Sequence, residues 1–138
     1  MEAIYLDLHI HTSVDSNNLI DNYDIETLIT KIKSVSKDSA YLISLTDHNI
    51  INKSAYLEAK NKVMHLLLGI ELHIRNYSEC PPYHCHIYFN LDEITEDIID
   101  ELNLKLDVLY PIKMVSTADK IPTLEEVIKT FDSYDFLI

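Results

Sequence analysis

The sequence predicts an α/β fold: a single domain with an open parallel sheet and helices packed on it. Three observations carry that expectation. Short apolar runs alternate with helix-period stretches, the arrangement of parallel strands joined by crossovers. The 138-residue length sets an upper limit of one domain, and 47% hydrophobic residues suffice for a core. Finally, polar clusters of metal-ligand type follow the apolar runs, as they do at the strand ends of a parallel barrel.

Ile4-Tyr5-Leu6-Asp7-Leu8 reads as the first strand. Asn17-Asn18 and Asp21-Asn22 supply turn chemistry in the loop that follows, since Gly69 is the only glycine in the chain. Asp24 caps a helix that carries Ile25, Leu28, Ile29, Ile32 and Val35 on one face. Tyr41 to Leu45 is the second strand, and residues 52–62 form a short helix begun by Asn52. His65 to Leu68 and His86 to Phe89 are the third and fourth strands. A helix spans 93–104 with Ile94, Ile98 and Leu102 aligned. Residues 105–122 give no clear period. Thr123-Leu124-Glu125-Glu126 is a capping box opening another helix, and Tyr134 to Ile138 is a fifth strand.

Composition narrows the function classes. The net charge of −12, from 23 acidic and 11 basic residues, disfavours nucleic acid and anionic membranes as direct partners. Nucleic acid is expected only through another domain. No apolar run approaches the roughly 20 residues that cross a bilayer, and no signal-like segment opens the chain. Two cysteines, Cys80 and Cys85, do not make a disulfide framework and suit the reducing cytoplasm.

Five of the seven histidines fall in three of four clusters: Asp7-Leu8-His9-Ile10-His11-Thr12, Thr46-Asp47-His48-Asn49, Gly69-Ile70-Glu71 and His84-Cys85-His86. Imidazole and carboxylate together suit Zn, Mn or Fe. On a strand, His9 and His11 share a face and can aim two rings at one point. Asp7 is placed to orient one of those rings. Glu71 can bridge two cations with its two oxygens. Asp47 also reads as an ordinary turn or helix-cap residue, and His65 and His73 are expected to be spectators, although His73, two residues past Glu71, has an alternative facing the site.

Together the four clusters resemble the first motifs of the PHP (polymerase and histidinol phosphatase) metallophosphoesterase family, over residues 4 to about 90 and more weakly to 138. The resemblance implies a distorted (β/α)7 barrel of which only the first part is present. It implies two or three divalent metals, Zn, Mn or Fe: His9 and His11 on the first, Glu71 between first and second, His86 on the second, His48 on a third. Glu71 and Asp47 are the carboxylates expected to serve the chemistry. The implied reaction is hydrolysis of a phosphate mono- or diester by a metal-bound hydroxide.

The sequence departs from the family at two points. Ser16 and Asn17 stand where the family has Asp or His, so Asp15 is the expected third-metal ligand. No histidine follows His86, although the family's later motifs supply more ligands. A complete barrel takes roughly 200 residues or more. The chain is therefore expected to be the N-terminal part of a longer fold, or to be completed by an additional domain or second chain, and to turn over poorly alone. A degenerate, non-catalytic PHP module serving protein contact or regulation is the alternative. An amidohydrolase-type barrel also carries H-x-H on its first strand, but the Thr46-to-Asn49 cluster fits PHP better.

Overall fold

The computed structural model describes residues 4–13, 23–37 and 39–138. Asp15 and the turn residues 17–18 and 21–22 lie outside them. Among the described residues the chain is α/β: a five-stranded open sheet and four helices, in the order β1 (Tyr5–Ile10), α1 (Ile25–Ser36), β2 (Tyr41–Leu45), α2 (Lys53–Ala59), β3 (Leu66–Ile74), β4 (Tyr83–Phe89), α3 (Glu96–Leu109), α4 (Leu124–Thr130) and β5 (Phe136–Leu137). None of the four helices is long and apolar enough to cross a membrane.

Each helix starts where a side chain satisfies its free N–H groups. The Asp24 carboxylate accepts from Thr27 N–H (2.9 Å) and from the Thr27 hydroxyl (2.7 Å). Asn52 caps α2 through Ala55 N–H, and Thr95 caps α3 through Ile98 N–H. Thr123 and Glu126 form the full reciprocal capping box. The third helix runs five residues beyond its expected end, to Leu109, and takes up part of the stretch that lacked a clear period.

The strands lie side by side in sequence order. β1–β2 and β2–β3 are parallel, but β3–β4 and β4–β5 are antiparallel. The expectation of an all-parallel sheet is therefore corrected to a mixed one. The cause is the length of β3. It does not stop at Leu68 but runs nine residues to Ile74, and β4 starts at Tyr83 rather than His86. The remaining residues, 75–82, are too few for a crossover, which takes a dozen or more, so the chain folds back as a hairpin.

The core joins both halves of the sheet. Tyr41, Ile43 and Leu45 of β2, Leu68 to Ile74 at alternate positions of β3, and Ile87 and Phe89 of β4 are buried. Ala55, Tyr56, Ile99, Leu102, Leu106, Val127 and Phe131 close over them. At the C-terminal end of the β2–β3 pairing, the buried Tyr56 hydroxyl binds the backbone of both strands. It donates to Leu45 O (2.6 Å) and accepts from Leu45 N–H (3.1 Å) and Gly69 N–H (2.9 Å). Burial without a charged partner pushes this phenol far above its ordinary pKa.

Candidate metal centre

Six of the seven histidines gather around Glu71. His9 is the next-to-last residue of β1 and His11 follows the strand, His48 lies in the segment after β2, Glu71 and His73 lie inside β3, and His84 and His86 lie inside β4. In the hairpin register Glu71 faces His86 and His73 faces His84. Only His65 stays outside, exposed before β3.

Three local devices aim these side chains. The first is a bulge in β1: its register against β2 shifts between Asp7 and Ile10, which adds one residue ahead of His11. Bulges re-aim side chains in this way. The Tyr88 hydroxyl donates to Leu8 O (2.8 Å) at the bulge. Its ring lies across Gly69, where any Cβ would come within 2.7 Å of the ring and closer still to the Ser44 hydroxyl. That is the reason for glycine here.

The second device is the 47–49 segment. Glu71 N–H donates to Asp47 O (3.1 Å), and Asn49 N–H donates to Glu71 O (2.8 Å). Asn49 takes the left-handed conformation (φ 59°), which asparagine tolerates better than most residues. The third is the Asp47 carboxylate. It accepts from Thr12 N–H (2.8 Å), Ser13 N–H (3.0 Å) and the Thr12 hydroxyl (2.5 Å), so it pins the chain just after His11. Asp47 thus acts as a positioning residue. Asp7 meets the backbone N–H of His9 (3.4 Å), not its ring.

Glu71 is 2% exposed, and its two oxygens face different partners. Oε2 lies 3.0 Å from His9 Nε2, 2.9 Å from His11 Nε2 and 3.6 Å from His48 Nδ1. Oε1 lies 2.6 Å from His84 Nδ1 and 4.0 Å from His86 Nε2. The ring nitrogens of His9 and His11 are themselves 2.9 Å apart. His9 Nε2, His11 Nε2 and Glu71 Oε2 therefore form a nearly equilateral triangle. No set of hydrogen atoms places a linear bond along all three edges. Ligands about 2.0–2.1 Å from one cation are roughly 3 Å apart, so the triangle matches one face of a coordination polyhedron. Two buried nitrogens beside it, His48 Nδ1 and His86 Nε2, have no hydrogen-bond partner. This donor set fits a divalent cation.

The electrostatics agree. Burial opposes ionisation of Glu71, but the His9 hydrogen bond and the neighbouring imidazoles outweigh it and hold the carboxyl below its usual range. Burial depresses His48 and His86. It depresses His73 to about 4, with help from His84 and His48. Neutral imidazoles facing an ionised carboxylate are the protonation states that metal ligation needs.

A second group, His48, His73 and His84, also brings its ring nitrogens within 4.8 Å of one another. His73 and His84 were not among the ligands expected from sequence, and His86 belongs to neither group of three. The missed signal is strand alternation: Ile70, Leu72 and Ile74 are buried on one face, leaving Glu71 and His73 on the other. The same period places His84 with His86 and Tyr88. No known protein-family model matches the chain, and no characterised protein matches it as a relative.

Proposed function

We propose that the chain is the metal-binding part of a PHP-type phosphoesterase that hydrolyses a phosphate mono- or diester. The observation that carries the reading is the His9–His11–Glu71 triangle. A cation held there, Zn, Mn or Fe, would supply charge to the phosphoryl oxygens and acidify a water. The chain's own contribution is to present two imidazole nitrogens and one carboxylate oxygen at mutual distances of 2.9–3.0 Å. His48 and His86 flank that point with unpartnered nitrogens and are the next candidates for ligation. The parallel β1–β3 segment supports the opening of a distorted barrel, and a further domain or second chain would add the remaining ligands. The free Cys80 and Cys85 support a cytoplasmic setting.

One observation favours the alternative, a non-catalytic module that only binds a cation. Asp47, the carboxylate next to His48, has both oxygens occupied by Thr12 and Ser13. The test pairs metal analysis with hydrolysis of p-nitrophenyl phosphate and bis(p-nitrophenyl) phosphate in added Mn or Zn. Bound metal is expected, with slow turnover. Glu71→Gln is expected to weaken cation binding at least about 100-fold, about 2.7 kcal/mol, and His9→Ala to remove turnover. Bound metal with no turnover, even in longer forms of the chain, selects the module. A wild-type protein that binds no divalent cation refutes both.

A further inference from the structure

The geometry points to a directed chain, Asn49 to His73 to His84 to Glu71, that holds the Glu71 carboxylate in place and excludes a cation from the His48–His73–His84 group. The direction is set at Asn49. Its Oδ1 accepts from the backbone N–H of His73 (2.9 Å), and its Nδ2 donates to the backbone carbonyl of Lys113 (2.8 Å). A backbone N–H can only donate and a carbonyl can only accept, so these two partners fix which end of the amide is which. The second Nδ2 hydrogen then points at His73 Nδ1, 2.9 Å away. That ring nitrogen must accept.

A neutral imidazole with a lone pair at Nδ1 carries its hydrogen at Nε2. His73 Nε2 lies 3.0 Å from His84 Nε2 and donates to it. His84 then carries its hydrogen at Nδ1, the atom 2.6 Å from Glu71 Oε1. A lone-pair nitrogen at that distance from a carboxylate oxygen would repel it, so the short contact requires the same tautomer. Two independent ends of the chain therefore agree on its direction.

Two consequences follow. His73 and His84 have no lone pair left to aim at a cation shared with His48, although their nitrogens cluster. And Oε1 of Glu71 is occupied, which leaves Oε2 turned toward His9 and His11. His73 is a positioning residue for Glu71, acting through His84. The backbone supports it as well, since the Tyr110 hydroxyl donates to His73 O (2.6 Å). That Oε2 is presented to a cation rests on the proposed function; the tautomers do not.

Long-range proton–nitrogen NMR of the metal-free wild-type protein tests the chain directly. His73 should show a protonated Nε2 and a lone-pair Nδ1, and His84 the reverse. A protonated Nδ1 on His73 would overturn the proposal whatever the protein binds. The second arm compares His73→Gln, whose amide keeps a donor near the Nε2 position, with His73→Leu, which keeps only bulk. The His84 Nδ1–H signal should persist in the first and vanish in the second. Zn affinity should fall ten- to a hundredfold in His73→Leu and less than about threefold in His73→Gln. Equal behaviour of the two variants by NMR would reduce His73 to a packing role and sink the chain. If wild type binds none of Zn, Mn or Fe, the phosphoesterase reading fails, and the NMR outcome still decides the chain.

Discussion

The two halves of the sheet supply the site in different ways. β1 and β2 run parallel and deliver their polar residues at or just past their C-terminal ends, as His9, His11, Asp47 and His48. β3 and β4 run antiparallel and deliver theirs from mid-strand, as Glu71, His73, His84 and His86. A strand end can be re-aimed by a bulge or a turn. A mid-strand residue is fixed by register, because a slip of one position would send Glu71 to the opposite face. The parallel half thus provides adjustable side chains, and the hairpin provides the fixed reference they converge on.

The hairpin should then be where packing damage is largest. Phe89 is buried against Phe131 (ring centroids 5.4 Å apart) and Tyr134 (5.8 Å). Phe89→Ala is expected to cost about 3–5 kcal/mol in a urea unfolding curve. A loss below about 1 kcal/mol would show that the antiparallel half is not the rigid partner. Gly69→Ala comes next. Its Cβ must displace the Tyr88 ring or the Ser44 hydroxyl, for about 1–3 kcal/mol. Because Tyr88 also holds the β1 bulge, this variant should weaken cation binding as well as stability. Stability loss with unchanged affinity would uncouple the two halves.

A more gradual effect is expected in acid. The folded-state pKa values of His48, His73 and His86 are lowered, so the unfolded chain binds protons that the folded chain refuses. The stability of metal-free protein should be fully present above about pH 6.5 and decline toward about pH 4, the value for His73. The lowered Glu71 acts in the same direction at still lower pH. Urea midpoints that stay flat or rise across that window would contradict the buried, neutral cluster.

Much of this was legible in the sequence, for reasons that differ by element. Asp24, Asn52 and Thr123 announce helices because capping is local chemistry. β2 is short, apolar and bounded, so its limits agree with the chain. The sequence alone bounds β3 at Leu68 because Glu71 and His73 interrupt the apolar run, although Ile70, Leu72 and Ile74 keep period two beneath them. That shortening hid the hairpin and produced the all-parallel expectation. The sequence places His9, His11, Glu71 and His86 together as residues following successive parallel strands. The first three do meet, but Glu71 and His86 come from inside the antiparallel hairpin, and His86 Nε2 stays 4.0 Å from Glu71. The role of Asn49 was not legible, because it depends on Lys113, a partner 64 residues away.

The Tyr56 hydroxyl has a kinetic consequence. One oxygen from α2 accepts from an amide in each of two strands, Leu45 and Gly69. Deuterium uptake at those amides should therefore track the opening of α2 rather than the fraying of either strand. Leu45 and Gly69 should exchange together with Ala59 and Lys60, while Leu72, paired inside the hairpin, stays closed. In Tyr56→Phe both amides should exchange early, reporting a loss that the backbone ladder alone would never show.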